Sequence, residues 1–438
     1  MFGVYKTRWP ERRILMMVWR YLLRFLRYLL TLLIVVVIIV VVICVALYAW
    51  YLLPIVAGIL FLLIRWYRKA RTPIKVVVLG FPNAGKTVFL ASMYHQLAIP
   101  GQAGCILVIK PEQRNKLIKI YDQIADTEKD FPSSTAPGET TEWSFTGRVQ
   151  SLKRFYPVFK FSYLDYAGER GRDLFKPPYT SFSTNFEKTL RKADILLGVL
   201  DGQEVLRFMR DQEGEQFYRD LHNMLIVMAN REKPVHFLLT KWDLLEGTYS
   251  LSQVLDGLER IDPFRNFVMN HTQSCTLRLI PVSALGKGFA REENGVMKKT
   301  SAAQIHPFQV EMPLVCSLLD YSEAEIRKLK IATERLGASS ESTPWYTPLL
   351  AVLLGATVAI QVGIITVNFG SFKDLLHQHS LDKKEPPGEE KRTPEVRIRN
   401  RREAQRYMYR RFFSLLDLQE KCFPESNLSN LKKRGSRT

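Results

Sequence analysis

The sequence predicts an α/β domain on a mainly parallel sheet, accompanied by apolar segments as long as transmembrane helices. Three observations predict it. Between residues 73 and 336, short apolar runs rich in β-branched residues alternate with longer helix-capable stretches. Nearly continuous apolar strands separated by helices mark a parallel sheet covered on both faces. Outside that region, residues 28–64 form a run of 37 without a charge, and 344–372 is also uncharged. Lysine and arginine crowd beside these runs: residues 1–72 carry +10 and 373–438 carry +7, out of +19 for the chain.

The 438 residues allow about two or three domains. A chain that is 47% hydrophobic and 24% charged is neither mainly disordered nor collagen-like. A pI near 9.6 would by itself suggest nucleic acid. Here the excess charge lies next to apolar segments, so membrane lipid explains it and no nucleic-acid partner is expected. The five cysteines form no CxxC pair, which argues for a reduced, cytosolic body without a zinc or disulfide framework.

Residues 1–27 form a basic amphipathic segment. Arg20, Arg24 and Arg27 recur at helical spacing opposite leucine, tryptophan and phenylalanine, as in a helix lying on a lipid surface; the alternative is an extension of the first span. Residues 28–64 exceed the about 20 needed for one crossing. Tyr48, Trp50, Tyr51 and Pro54 lie near the middle, and arginines flank both ends. The positive-inside rule then gives a transmembrane hairpin with both ends cytoplasmic; one long tilted helix is the rival. Residues 348–369 read as a third transmembrane helix, although Gly355, Gln361 and Gly363 interrupt it. A re-entrant segment or a buried helix are the alternatives. A single span there would carry the basic tail, 373–438, to the far side. Its stretch RIRNRREAQRYMYRRFF suits anionic lipid or RNA, or is a solvated tail.

Within 73–336 the strand candidates are IKVVVLG, VFKFSYLD, ADILLGVLD, VHFLLT and TLRLIPVS. The piece from Glu204 to Ala229 reads as helix, ILVIK with the residues after it as an extra strand and helix, and 132–141 as a mobile loop.

The strongest chemical signal is Gly80-Phe81-Pro82-Asn83-Ala84-Gly85-Lys86-Thr87. It follows the first strand and opens a helix, the context a phosphate-binding loop requires. Glycines let backbone N–H groups close on phosphate oxygens, and the helix adds its positive N-terminal end. Lys86 would reach the β- and γ-phosphates, and Thr87 would ligate Mg²⁺. Asp165-Tyr166-Ala167-Gly168 ends the next strong strand. Asp165 suits a Mg²⁺ contact, and Gly168 can bring its N–H to the γ-phosphate without a clash. Thr240-Lys241-Trp242-Asp243 follows VHFLLT. The Asp243 carboxylate can accept from two guanine donors that adenine lacks, with the Lys241 stem along the ring. Ser283-Ala284-Leu285 follows the last strand, where a backbone N–H can meet guanine O6.

In that order, GFPNAGKT, DYAG, TKWD and SAL resemble the first, third, fourth and fifth motifs of translation-factor and Ras-like P-loop GTPases. The resemblance covers about residues 73 to 290. It implies a Ras-like fold, binding of GTP and GDP, Mg²⁺, and a nucleotide-dependent switch with a protein effector or activator. The layout of membrane spans followed by such a domain is similar to the signal recognition particle receptor β-subunit and to bacterial membrane-associated GTPases. Thr240 stands where the family usually has Asn. Glu169 stands where Ras-like enzymes carry a water-positioning Gln, so a low intrinsic rate is expected. Arg170 and Arg172 beside it read as solvated switch residues or as an arginine finger. Thr140 and Thr141, with Thr135 third, are the candidates for the switch threonine. Asn83 resembles the position that helps bind K⁺ in GTPases of the Era, Obg and ferrous-iron-transport type; the alternative is a local role in the loop.

Overall fold

The protein is described here from a computed structural model. It describes residues 26–43, 57–58, 61, 73–101, 103–132, 140–151, 154–166, 184–210, 214–229, 233–293, 296–300, 303–338 and 398–430. The chain divides into two units, Met1–Thr72 and Pro73–Thr438.

In the first unit, helix α1 (Leu26–Ile43) has a mean hydropathy of 3.1 and none of its residues is buried. Eighteen consecutive such residues are long and apolar enough to cross a membrane. The remainder of the expected hairpin lies almost entirely outside the described residues, as does the expected third span at 348–369.

The second unit is built on a seven-stranded sheet in the order β2-β3-β4-β1-β5-β6-β7. The strands are β1 (Ile74–Gly80), β2 (Ile106–Ile109), β3 (Thr140–Ser151), β4 (Arg154–Tyr166), β5 (Ile195–Asp201), β6 (Val235–Thr240) and β7 (Leu277–Pro281). Pairings β4–β1, β1–β5, β5–β6 and β6–β7 are parallel, while β2–β3 and β3–β4 are antiparallel. The apolar runs in β1, β5 and β6 are buried on both faces. Val77 and Leu79 join one core cluster, and Val76 and Val78 the other, as the period of two requires. Five of the expected strands are present, and the expected extra strand and helix are β2 and α3 (Pro111–Ala125).

Helices cover both faces: α2 (Lys86–Leu97), α4 (Thr184–Lys192), α5 (Gly202–Met209), α6 (Gly214–Met228), α7 (Leu251–Glu259), α8 (Asp262–His271), α9 (Met312–Ala338) and α10 (Arg401–Cys422). The single helix expected from Glu204 to Ala229 is two, α5 and α6. Gly214 begins the second, where glycine's backbone freedom disfavours a helix interior. The loop expected over 132–141 gives way to β3 at Thr140, which pairs with Tyr166.

The chain's last part departs most from expectation. The basic tail at 373–438 is not separate from the domain where it is described. Ala404, Met408 and Phe412 on α10 are fully buried, in the same core cluster as Phe161 of β4 and Val315 of α9. Gln405 donates to the Val158 carbonyl (3.1 Å), and the Ile398 N–H donates to the Ser151 hydroxyl (3.1 Å). The physical reason is amphipathicity. Arg402, Arg406 and Arg410 repeat every four residues on the exposed side, while Ala404, Met408 and Phe412 repeat every four on the other. Asn400 caps the start, accepting from the Glu403 N–H (3.0 Å) while Glu403 accepts from the Arg399 N–H (2.7 Å). A buried Arg278 on β7 pairs with Asp320 of α9 (2.7 Å) and Glu420 of α10 (3.2 Å), joining sheet and both helices.

A candidate nucleotide site at the carboxyl edge of the sheet

In an α/β sheet, ligands bind beyond the carboxyl ends of parallel strands. Gly80, Asp201 and Thr240 end strands there, and Asp165 lies one residue before the end of β4: Val78 pairs with Asp165, and Asp201 with Thr240. A cavity of about 350 Å³ opens at this edge.

Its floor is the loop from Gly80 to Thr87. Gly85 has φ +79, a left-handed conformation that glycine adopts without strain. Gly80 is required for space, because a Cβ there would meet the Val199 side chain at 2.9 Å. Asn83 also has positive φ, 62°, which asparagine tolerates better than most residues. The Lys86 ammonium donates to the carbonyls of Gly80 (2.9 Å) and Phe81 (3.0 Å). Burial lowers its pKa, and Asp165 and Asp201 oppose that shift. Pro82, Asn83 and Ala84 line the same cavity.

Thr87 donates its hydroxyl hydrogen to Asp165 Oδ2 at 3.4 Å. The other oxygen, Oδ1, is buried without a hydrogen-bond partner. Burial raises the Asp165 pKa, and Lys86 and Thr87 draw it back. A hydroxyl beside a carboxylate with a spare oxygen is the donor set a hard cation takes, so these residues fit Mg²⁺. Thr141 lies opposite Asp165 and Thr140 opposite Tyr166, so both switch candidates reach this edge. Gly168, Glu169, Arg170, Arg172 and Thr135 lie outside the described residues.

The far side of the cavity carries the TKWD and SAL motifs. The Thr240 hydroxyl is within hydrogen-bond reach of the Ala84 carbonyl (2.8 Å) and the Leu200 carbonyl (3.1 Å). It ties the loop from Gly80 to Thr87 to the sheet. Lys241 has φ 52, and its ammonium pairs with Asp201 (2.8 Å) and Gln203 (3.3 Å). Asp243 accepts from the Ser283 hydroxyl, and Ser283 accepts from the Gly286 N–H (2.9 Å). Burial raises the Asp243 pKa, and the Ser283 bond partly offsets it. The Trp242 backbone N–H donates to the carbonyl of Val282 (3.1 Å), the residue before SAL. Ala284 and Leu285 line the cavity, and Ser92 of α2 donates to the Ala284 carbonyl (2.8 Å).

Three positioning residues are absent from the motif reading: Asp201, Gln203 and Ser92. Asp201 ends ADILLGVLD as Asp165 ends VFKFSYLD; an acid closing an apolar strand is the signal that marks both. Ser92 and Gln203 carry no such signal.

No protein-family model and no curated protein matches the sequence. Solved structures do show a likeness. The Arl6 BBS3 small GTPase from Trypanosoma brucei is 15% identical over 49% of this chain and 88% of its own, with a TM-score of 0.26. Nucleolar GTP-binding protein 1 from Plasmodium falciparum is 11% identical over 61% of this chain and 95% of its own, at 0.32. The signal recognition particle receptor SRb–GTP/SRX complex from Chaetomium thermophilum is 15% identical over 50% and 93%, at 0.26. The chain is thus similar to GTPases and GTP-binding proteins.

Proposed function

We propose that this chain is a membrane-anchored GTP-binding protein that hydrolyses GTP to GDP and serves as a nucleotide-dependent switch or recruiter. The observation that carries it is the meeting of two donor sets in one cavity. Lys86, Thr87 and Asp165 stand at the phosphate loop, and Asp243, fixed by Ser283, lines the same space.

Asp243 would accept from the two guanine donors while the Lys241 stem lies along the ring. Lys86 would leave the Gly80 and Phe81 carbonyls for the β- and γ-phosphates. Thr87 and Asp165 would hold Mg²⁺, which supplies positive charge against the charge developing on the phosphoryl oxygens. Water attacks the γ-phosphorus, the bond to the β–γ bridging oxygen breaks, and GDP and phosphate leave. Glu169, which follows DYAG in the sequence, would orient that water, aided by the switch threonine, Thr140 or Thr141. A carboxylate there repels the γ-phosphate, which supports a slow intrinsic rate and a requirement for K⁺ at Asn83 or for a protein activator.

Helix α1, the uncharged run around it and its arginine flanks support an integral membrane protein whose nucleotide domain faces the cytoplasm, in contact with membrane lipid. The second reading is a GTP-binding scaffold or receptor subunit with negligible hydrolysis, favoured by Glu169.

The test is nucleotide affinity and phosphate release on the full chain in lipid vesicles. Tight GTP and GDP binding with weak ATP binding is expected. Equal affinity for ATP and GTP would overturn the reading. Tight GTP binding without phosphate release, with K⁺ and native membrane extract present, would select the scaffold.

A further inference from the structure

Past the SAL motif, β8 (Ala290–Glu293) and β9 (Val296–Lys299) pair as an antiparallel hairpin outside the main sheet. Its Ala290, Val296 and Met297 line the same cavity as Lys241, Asp243 and Ser283. Val296 leaves 62% of its surface exposed. An apolar wall beside a guanine-reading carboxylate suits the face of a purine ring, and a thioether contacts aromatic rings favourably.

The hairpin is fastened at both ends. On β8, Glu292 accepts from Arg207 of α5 at 2.6 Å, and Arg207 also pairs with Glu204 (3.0 Å). That contact is the main cause holding the Glu292 carboxyl below its usual range, and Gln203 bonds it as well. Gln203 in turn accepts from Lys241 (3.3 Å). A polar chain therefore runs from the hairpin to the TKWD motif. On β9, the Lys299 ammonium donates to the carbonyls of Gln123 (2.7 Å) and Asp126 (2.8 Å) at the end of α3. A cation there satisfies carbonyls the helix leaves open and complements its negative end. The same ammonium lies 5.0 Å from the centre of the Phe131 ring, and Phe131 also lines the cavity.

We propose that the β8–β9 hairpin is a strap across the base end of the cavity, which retains a bound guanine nucleotide and must lift from a fastening before the nucleotide leaves. The proposal rests on the GTP-binding reading above and extends it to the control of nucleotide release. Two short strands have little stability of their own. The hairpin therefore lifts when a fastening breaks, without opening the sheet.

The experiment is release of a fluorescent GDP analogue from the full chain, chased with excess GDP. Lys299→Ala and Arg207→Ala are each expected to release it about tenfold faster, the worth of one charge-assisted hydrogen bond. Met297→Ala is expected to speed release with both fastenings intact. Lys299→Arg, which keeps a cation over the α3 carbonyls, stays near the unmodified rate. Arg291→Ala, on an exposed hairpin side chain paired with Glu293, leaves it unchanged. Preference for GDP over ADP persists throughout, because Asp243 is untouched. Tight GDP binding with unmodified release in Lys299→Ala, Arg207→Ala and Met297→Ala would overturn the strap alone. No measurable GDP affinity in the unmodified chain would overturn the nucleotide reading beneath it.

Discussion

Trp242, in the TKWD motif, meets Phe423, just beyond α10, edge to face at 6.1 Å. Phe423 also contacts Phe308 at 6.1 Å, in the segment that pairs with Ser283. The chain's end thus buttresses the fourth and fifth motifs together. Phe423→Ala removes packing behind Asp243 without touching the cavity. GTP affinity should fall several-fold while ATP affinity, already weak, does not move. Phe412→Ala, from a fully buried site, should destabilise the whole domain by about 3–5 kcal/mol, read as a lower denaturation midpoint.

Ser283 donates to Asp243, the carboxylate proposed to discriminate between bases. Ser283→Ala should weaken GTP binding about tenfold, in line with a hydrogen bond to a charged group. Asp243→Asn should move preference towards xanthine nucleotides, since the paired acceptor is lost. Competition binding with GTP, XTP and ATP measures both.

The metal end makes a prediction about pH. Burial raises the Asp165 pKa above its unfolded value, so the charged form costs the folded chain stability above that pKa. The cost is relieved as pH falls through it. Asp165→Asn should therefore raise the melting temperature of the nucleotide-free protein at neutral pH and abolish the gain in GTP affinity from Mg²⁺. Thr87→Ala should lose mainly that Mg²⁺-dependent gain, whereas Lys86→Ala should weaken nucleotide binding with or without metal. In the unmodified chain the effect of Mg²⁺ should fade on acidification.

Asn83 has a left-handed backbone, so Asn83→Ala would strain the loop as well as remove the amide. Asn83→Gly keeps the turn and removes only the side chain. If Asn83 holds K⁺, hydrolysis should be faster in K⁺ than in Na⁺, by up to about three to five decades for full charge stabilisation. Asn83→Gly should erase the difference. Equal rates in both salts leave an activating partner as the only route.

His236 supplies a second pH dependence, remote from chemistry. It is fully buried on β6, both ring nitrogens lack hydrogen-bond partners, and burial lowers its pKa to about 4. It is therefore neutral at pH 7, and its 3.6 Å approach to Asp320 is not an ion pair there. Between its ordinary pKa near 6.5 and about 4, the unfolded chain takes a proton that the folded chain refuses. Stability therefore falls as pH drops through that window. His236→Leu should flatten that part of a stability–pH profile, measured by urea unfolding.

What was legible in the sequence was whatever local pattern dictates. IKVVVLG and VHFLLT announce buried strands because nothing polar interrupts them, and GFPNAGKT announces a loop because its glycines, lysine and threonine are fixed in order. The long-range partners were not legible. Ser92 reaching Ala284, or Gln203 reaching Lys241, depends on packing between elements far apart in the chain. RREAQRYMYRRFF reads as a basic tail for another reason: its charge density masks an apolar stripe of Ala404, Met408 and Phe412 that is visible only at helical spacing.

That stripe has a topological consequence. Helices α9 and α10 both lie in one core, yet the uncharged run 344–372 separates them. A chain that leaves a body and returns to it must cross any bilayer an even number of times, zero or two. From that shared core we propose that the run does not act as a lone span stranding the carboxyl end outside. Cys422, exposed at the end of α10, carries the address: kept as the sole cysteine, it should resist an impermeant thiol reagent until the cells are permeabilised.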